Sequence, residues 1–228
     1  MPGTDQAGQA GAGNDGILAI WHDCAAGQEE TFEHWYQSEH LIERVSIDGF
    51  QRGRRYHGIG GYRQYFTYYE TDCPQDLTSA AYLARVNDPT PLTRQVMNGI
   101  FINPVRTVCH RVMRAGGLDG AVAVTGIVDN AGGVAAWQQS LAELLKHDGV
   151  ASAELWQRVE GASDTGSREQ QIRGGDETVG GCVLVSVLRE PDAQTIAAWM
   201  QDRGVAAASI GTYALLCELR RRDLDLAT

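Results

Sequence analysis

The heptapeptide RAGGLDG, residues 114–120, divides the chain, because a series of predicted strands and helices ends before it and starts again after it. Its glycine-rich composition is typical of a flexible joint. Hydrophobic periodicity predicts the order strand, helix, strand, strand, helix, strand over residues 16–113, and the same order over residues 121–222. The sequence therefore predicts two α/β units, preceded by a disordered segment at 1–15 and followed by a short tail at 223–228.

The predicted elements follow from alternating apolar residues in strands and a 3.6-residue period in helices. The first half has predicted strands at 17–22, 50–56, 62–70 and 104–112, and helices at 28–45 and 76–87. The second half has predicted strands at 121–128, 151–159, 181–188 and 211–219, and helices at 133–147 and 192–204. Two segments lie outside this pattern, a proline-punctuated stretch at 87–101 and a Gly/Ser/Asp/Glu-rich loop at 161–180.

Three landmarks recur in the same order in both halves and favour an internal repeat. The first helix of each half contains a tryptophan and ends at Asp-Gly, and each closing strand carries a central cysteine. The pairs are Trp35 and Trp137, Asp48-Gly49 and Asp148-Gly149, and Cys109 and Cys217. Two unrelated α/β segments remain the alternative.

A βαββαβ unit is typical of a ferredoxin-like sandwich, an antiparallel sheet with helices on one face. The other face of the sheet needs cover, and two such sheets packed face to face bury each other. The predicted fold class is α+β, with two tandem ferredoxin-like units packed sheet to sheet as an α+β barrel. We expect this packing to enclose space between the sheets.

Composition excludes several classes of function. The net charge of −10 argues against nucleic acid or an anionic membrane as the main partner. No apolar run has the length of a membrane span, and the N-terminal residues lack the pattern of a signal peptide. The five cysteines form no C-x-x-C pair, which fits reduced thiols and predicts a cytoplasmic location.

The stretch FEHWYQSEHLIERV, residues 32–45, is typical of a helix but has polar residues where a core helix would be apolar. At about 100° per residue, Glu39 falls inside the apolar stripe and His40 on its margin. Aligning the two halves on their tryptophans pairs Glu39 with Leu141 and His40 with Ala142. Because a lone buried carboxylate is costly, we interpret Glu39 and His40 as functional residues, and we expect Glu39→Leu to stabilise the protein.

A structural role for the same two residues stays open. Glu39 can pair with Arg44, Arg52 or Arg54, and His40 can cap the helix, since C-terminal turns favour histidine and arginine.

Further candidates lie on the strands. In FQRGRRYHG, residues 50–58, alternation puts Phe50, Arg52, Arg54 and Tyr56 on one face. An arginine on this face can bind a substrate carboxylate or enolate. In the next strand, alternation puts Tyr65 and Tyr69 on one face and Phe66 and Tyr68 on the other, and Tyr65 can line an aromatic-binding cavity. The alternatives are a solvated charged surface for the arginines and ordinary strand preference for the tyrosine.

Metal and nucleotide cofactors are not predicted. His22, His40 and Glu39 are residue types that suit zinc or iron, but no H-x-H or H-E-x-x-H spacing supports a site. The sequence has no G-x-G-x-x-G, no phosphate-binding loop and no G-x-S-x-G. We therefore predict a protein that works without a cofactor.

The first half resembles a known superfamily. The segments HWYQSEHLIERVSIDGFQRGRRY, YFTYYE and LTSAAYLARVNDPTPLTRQVM are similar to those of dimeric α+β barrel proteins, with the EthD-like and DUF4286-like members nearest. The similarity covers roughly residues 16–113 and extends to the second half only by architecture. It implies a barrel of two ferredoxin-like units, a central apolar cavity, and often cofactor-free chemistry on small aromatic or polyketide-like molecules.

These observations predict an enzyme of the lyase or isomerase type acting on a small aromatic or enolisable carbonyl compound. His40 is the expected general acid or base and Glu39 its partner. The expected substrate-binding residues are Arg54, Arg52, Tyr65, Trp35, His22 and Tyr56, all in the first half. A cofactor-free monooxygenase of electron-rich phenols, or a barrel that only binds small molecules, is the alternative. A homodimer is left open.

Overall fold

The structure of the protein is a computed structural model that describes residues 15–129 and 134–226. The predicted disordered segment, apart from Asp15, lies outside the described residues, as do the last two residues of the predicted tail.

The first half contains four strands and a layer of helices. A long first helix consists of α1, a π-helical turn and α2, which succeed one another without a break. The elements are β1 Gly16–Cys24, α1 Glu29–Trp35, the π-helical turn Tyr36–His40, α2 Leu41–Val45, β2 Phe50–Gly61, β3 Tyr65–Thr71, a 3₁₀ turn Pro74–Thr78, α3 Ala80–Asn87, α4 Pro91–Met97 and β4 Phe101–Ala115.

The second half has the same succession of strands. Its elements are β5 Val122–Val128, α5 Val134–Leu144, β6 Val150–Arg158, α6 Arg168–Ile172, β7 Gly181–Val187, α7 Glu190–Gln201, a 3₁₀ turn Ala207–Ser209, β8 Ile210–Arg220 and a 3₁₀ turn Arg221–Leu226. Two short helices, α4 and α6, lie in the segments for which the sequence predicted no helix. Both are capped in the usual way, α4 by Thr90 and α6 by Ser167.

All eight strands form one closed antiparallel barrel in the order β1-β3-β2-β8-β5-β7-β6-β4. Within the first half the order is β4-β1-β3-β2, and within the second it is β8-β5-β7-β6. The halves are joined by β2 with β8 and by β4 with β6. The predicted α+β barrel class is confirmed, and the closure leaves neither sheet with an unpaired edge among the described strands.

The interior of the barrel differs from the prediction, because side chains fill the space that was expected to be a central cavity. The packed aromatic rings include Trp21 against Phe66, with ring centroids 5.1 Å apart, and Tyr68 against Trp156 at the same separation. Aromatic residues are bulky enough to fill an eight-stranded barrel. The fully buried aromatic residues of this interior are Trp21, Tyr56, Phe66, Tyr68, Trp156 and Tyr213.

Two further apolar clusters lie outside the barrel, between each half-sheet and its helices. The first joins Leu18 and Ile20 of β1 to Phe32 and Trp35 of α1. The second packs α5 and α7 onto β5, β6 and β7. The chain therefore has three apolar layers, and the outer layer of the first half is the one that contains the candidate site.

Of the three sequence landmarks, the structure supports the Asp-Gly pair. Gly49 and Gly149 both have a positive φ, 90° and 89°. An added side chain would meet the carboxylate of Asp76 in one half and of Asp192 in the other. This shared geometry marks the two positions as equivalent.

The tryptophan and cysteine pairs have different surroundings in the two halves. Trp35 is completely buried, whereas Trp137 is only partly buried and lies beside Trp199. Cys109 lies inside the barrel, whereas Cys217 packs on the helix side of the sheet. The surroundings therefore do not support the alignment on the tryptophans, which pairs Glu39 with Leu141, and alignment on the Asp-Gly pairs differs from it by two residues.

The linker is held in place, in contrast to the predicted flexible joint. β4 extends to Ala115, and Asp119 accepts a hydrogen bond from Arg52 at 2.6 Å. Gly120 donates to Ser186 Oγ at 2.7 Å and accepts from Arg54 at 3.2 Å. These contacts attach the linker to one end of the barrel.

Candidate functional site

A small cavity of about 30 Å³ lies between the first half-sheet and its helices. This volume has room for about two water molecules. Polar and apolar side chains share its wall. The lining consists of Leu18, Ile20, Tyr36, His40, Arg44, Tyr69, Tyr82, Val86, Met97, Phe101, Arg106, Ser167, Glu169 and Arg173.

The π-helical turn Tyr36–His40 shapes one wall of the cavity. A π turn widens the helix by one residue and rotates the face of the next helical turn, and such turns are frequent at functional sites. Tyr36 and His40 are the two buried residues of this turn, and Arg44 comes one turn later. Spacing of four residues places all three on one face of the helix.

His40 is a neutral imidazole in this wall. Its ring lies 4.0 Å from the Trp35 ring, centroid to centroid, and only 5% of the residue is exposed. Burial, together with the smaller contributions of the charges of Arg44 and Arg173, lowers the pKa of His40 well below its ordinary value. Its Nδ1 atom is buried without a hydrogen-bond partner. These features do not fit the predicted helix cap.

Arg44 forms a buried ion pair with Glu169 of α6. Its Nη2 atom donates to both carboxylate oxygens, at 2.6 and 2.5 Å. Burial acts to lower the pKa of Arg44, but the charge of Glu169 outweighs it and raises the pKa above its ordinary value. The other terminal nitrogen, Nη1, is buried and has no partner.

Three tyrosines add phenol groups to the wall. Tyr36 donates to Thr67 Oγ1 at 3.3 Å, and Tyr82 accepts from Arg106 at 2.8 Å. The hydroxyl of Tyr69 is buried and makes no well-aligned hydrogen bond, and burial, with a smaller contribution from the neighbouring Tyr36 hydroxyl, raises its pKa well above the ordinary value. Together with His40 and Arg44, Tyr69 makes three residues of the cavity wall that have a buried polar atom without a well-aligned hydrogen bond.

The second half closes the cavity through the segment around α6. Glu169 reaches Arg44, and Arg173 contacts Met97 Sδ through Nη1 at 3.8 Å. Arg173 is itself paired with Asp176 at 2.5 and 2.6 Å. The cavity thus takes most of its lining from the first half and its cover from the second.

Glu39 lies outside the cavity lining. Its carboxylate accepts hydrogen bonds from Thr90 and, at 2.7 Å, from Thr93, both on α4 or its cap. Thr93 in turn accepts from Trp35 Nε1 at 2.9 Å. Glu39 therefore bonds to threonines of a neighbouring helix, and none of the suggested arginines is its partner.

Arg52 and Arg54 lie at one end of the barrel, away from this cavity. Arg52 pairs with Glu70 at 2.8 Å and with Asp119 at 2.6 Å, and Arg54 pairs with Glu218 at 2.9 Å. Burial alone would raise the pKa of Asp119, but the hydrogen bond and charge of Arg52 lower it to about 2. The predicted alternation is correct for Arg52, Arg54 and Tyr56, whose face is the barrel interior. It is wrong for Phe50, which packs on the helix side because the strand register is irregular between Phe50 and Arg52.

Tyr65, His22 and Trp35 surround the site without lining it. Tyr65 donates to Glu33 at 3.0 Å. His22 is fully buried, and its ring lies 4.2 Å from the Phe101 ring, centroid to centroid. Of the eight residues predicted for the site, His40 is the one that reaches the cavity wall, with Trp35 packed behind it.

The residues missed by sequence reasoning have signals of unequal strength. Tyr36 and Arg44 lie four residues before and after His40, so a helical wheel finds them. Tyr69 shares a face with Tyr65 by alternation. Glu169 lies 125 residues from Arg44 in the chain, and no local pattern links the two.

Residues 15–129 and 134–226 contain no group of three or more His, Cys, Asp or Glu side chains placed to hold a metal ion. In the same ranges, no helix is both long and apolar enough to cross a membrane.

Comparison with known proteins identifies the fold. No protein-family model matches the chain, and no curated protein matches it in sequence. An anthrone oxidase-like protein matches in structure with a TM-score of 0.58 at 11% identity, covering 91% of this chain and 93% of that one. The protein has an α+β barrel fold.

Two further solved structures support the same fold. A candidate monooxygenase from Fusobacterium nucleatum matches with a TM-score of 0.54 at 7% identity, covering 91% of this chain and 95% of that one. A candidate chlorite dismutase matches with a TM-score of 0.52 at 10% identity, covering 92% and 97%. At these identities the likeness concerns the fold alone.

Proposed function

We propose that this protein is a small-molecule enzyme that removes a proton from a phenolic or enolisable carbonyl compound in the cavity beside His40. The proposal rests on two buried polar groups that lack a well-aligned hydrogen bond, His40 Nδ1 and the Tyr69 hydroxyl. Both lie on the wall of one cavity. Buried polar atoms are normally satisfied, so unpaired atoms that share a cavity indicate a ligand that bonds to them.

The chemistry depends on the protonation state of His40 and Tyr69. Because its pKa is lowered, His40 is neutral at physiological pH and has a free lone pair to accept a proton. Because its pKa is raised, Tyr69 keeps its proton and can donate a hydrogen bond to the oxygen that becomes negative. The products are an imidazolium and an enolate or phenolate, so one proton moves and charge balances.

The step after deprotonation separates a lyase or isomerase from an oxygenase. In an isomerase, His40 returns the proton to another atom of the substrate. Two fold neighbours are an anthrone oxidase-like protein and a candidate monooxygenase, and they favour an oxygenase as the second candidate. There the substrate anion reduces dioxygen, one oxygen atom remains on the substrate carbon, and the other leaves as water with the two substrate hydrogens.

Opening of the cover is part of the proposal. About 30 Å³ admits water and excludes a substrate, so the segment around α6 has to move before a compound binds. A cytoplasmic location and a cofactor-free mechanism belong to the same proposal.

The test combines binding and turnover with the full chain. Phenols and enolisable aromatic ketones are screened by thermal shift, and compounds that bind are incubated in air and under nitrogen. We expect His40→Ala to abolish turnover. His34→Ala is the matched control, since His34 lies exposed on α1 six residues earlier in the same helix and should leave turnover unchanged. Full turnover by the His40→Ala variant would place the site elsewhere.

The gas phase decides between the two candidate reactions. Equal rates in air and nitrogen identify proton-transfer chemistry alone. Turnover that stops under nitrogen, with one oxygen consumed per product, identifies the oxygenase.

A further inference from the structure

The cavity has a second chemical feature, a positive charge that its own carboxylates do not balance. We propose, on the basis of the function proposed above, that the substrate is an organic carboxylate whose acid group binds the guanidinium of Arg44. While the cavity is closed, Glu169 is bound to one nitrogen of the same guanidinium.

The first argument is the geometry of the ion pair. An arginine and a carboxylate usually form a fork in which two nitrogens each donate to one oxygen. Here both oxygens of Glu169 accept from the single nitrogen Nη2 of Arg44, at 2.6 and 2.5 Å. Nη1 lacks any partner although the side chain is only 3% exposed. Half of a buried guanidinium is thus left for another acceptor, and the residue lines the cavity.

The second argument is the charge count of the wall. Arg173 is neutralised by Asp176 and Arg44 by Glu169. Arg106 is buried, with 6% exposed, and its two terminal nitrogens donate to neutral groups, the Ser163 carbonyl and the Tyr82 hydroxyl. Among the described residues, the three guanidiniums of the cavity wall therefore have two carboxylate partners, Glu169 in the wall and Asp176 beside it, and Arg106 has none. A buried charge of this kind is stabilised by an anionic ligand.

The titration of His40 agrees with this excess. Burial is the largest cause of the lowered pKa of His40, and the positive charges of Arg44, Arg173 and Arg85 lower it further. The contribution of these guanidinium charges, unlike that of burial, is one that favours an anion in the same place.

The remaining wall specifies the body of the ligand. Leu18, Val86, Met97 and Phe101 are apolar and line the same cavity. Together with the guanidinium they fit a flat or unsaturated carbon skeleton that carries one carboxylate. An aromatic monocarboxylic acid with an acidic hydroxyl or enolisable carbon meets both this requirement and that of His40.

Opening of the segment around α6 allows the substrate carboxylate to replace Glu169 at Arg44. The segment around α6 is bounded by Gly161 and Gly166 on one side and by Gly174 and Gly175 on the other, all with positive φ. Glycine adopts this conformation without strain, so these positions can serve as hinges. Movement of the segment takes Glu169 away from Arg44, and the incoming carboxylate replaces it.

The test is calorimetric titration of the full chain with benzoate, with its neutral analogue benzamide, and with phenol. Glu169→Gln removes the internal carboxylate and keeps its shape. We expect this variant to bind benzoate at least tenfold more tightly than the unaltered protein, with benzamide and phenol unchanged. Glu160→Gln is the matched control, since Glu160 is exposed in the loop before α6 and should change none of the three affinities.

A double variant keeps the test valid if the single variant unfolds. Arg44→Met with Glu169→Leu removes both charges together, and we expect it to lose the preference for benzoate over benzamide while it still binds phenol. Equal affinities for benzoate and benzamide in Glu169→Gln, or a benzoate preference that survives in the double variant, would overturn the inference. Phenol binding in either case leaves the proposed function standing, and absence of both phenol and benzoate binding overturns both.

Discussion

The first helices of the two halves end at corresponding Asp-Gly pairs but bury different side chains near that end. Aligned on their terminal Asp-Gly pairs, Leu41 corresponds to Leu141, and both are buried. The next buried position is Arg44 in the first half and Leu144 in the second. A leucine completes an apolar core, whereas the arginine requires Glu169 from the other half and borders a cavity. The comparison shows that the departure from the core pattern lies at Arg44 and not at Glu39.

The largest expected effect comes from removing one partner of the ion pair. Arg44→Leu copies the second half but leaves Glu169 buried without a cation, which should cost about 3–5 kcal/mol of unfolding free energy. Arg44→Leu combined with Glu169→Leu should recover the stability of the unaltered protein, because well-packed apolar residues replace buried ion pairs at little cost. Urea denaturation of both single variants and the double variant measures the coupling. Additive losses would show that the two charges do not depend on each other.

The reciprocal change tests whether the second half can accept a buried cation at the corresponding position. Leu144→Lys places a cation at the position equivalent to Arg44, in a cluster whose neighbours are apolar. Because a cation buried among these apolar side chains is desolvated, we expect a loss of about 2–4 kcal/mol. Leu145→Lys serves as the control because Leu145 is 38% exposed, and its change in melting temperature should be small. Similar losses for the two variants would mean that the helix, and not the buried site, resists the charge.

The buried histidines of the first half predict a particular dependence on pH. Burial lowers the pKa of His22 to about 3, and that of His40 also lies well below 6.5. Below pH 6.5 the unfolded chain takes up protons that the folded chain does not, so stability falls as the pH is lowered. Between pH 6.5 and 5 each histidine should remove about 1–2 kcal/mol.

His22→Leu removes one of these two protonation sites and should roughly halve the slope of unfolding free energy against pH in that window. Paired carboxylates such as Asp119 lose their contribution only at lower pH, where the unfolded carboxyl groups begin to protonate. Urea midpoints at three pH values provide the slope. An unchanged slope in the variant would show that His22 is protonated in the folded state.

The smallest expected effect concerns Glu39. Sequence alone predicted that Glu39→Leu would stabilise the protein, but the structure reverses the sign, since Thr90 and Thr93 would lose their acceptor. We expect a loss of about 1–2 kcal/mol. Gln37→Leu is a neighbouring exposed control that should be near neutral. A higher melting temperature for Glu39→Leu would restore the original interpretation of a carboxylate that is tolerated for function.

Sequence patterns predicted those parts of the fold that depend on local periodicity. Alternation in β3 correctly separated Phe66 and Tyr68, which point into the barrel, from Tyr65 and Tyr69 on the helix side. The strand order of both halves was also predictable, because the succession of elements allows few topologies.

The site itself was only partly predictable. His40 emerged from the helical pattern, but the π-helical turn inserts an offset that a regular helical wheel does not contain. Resemblance to a family with a central cavity implied a site between the sheets, but bulky side chains such as Trp21 and Trp156 fill that space. The contact of Arg44 with Glu169 joins distant parts of the chain, so it required the folded structure.

Closure of the barrel within a single polypeptide has a consequence for how its sequence can change. Where two identical subunits form a barrel, every substitution is introduced twice, once on each side of the symmetry axis. Here the seams β2–β8 and β4–β6 join segments that are encoded separately. One half can therefore acquire a polar pocket while the other keeps an apolar core that maintains the shared scaffold. A substitution that would unfold a symmetric dimer, where it occurs twice, occurs only once in this barrel.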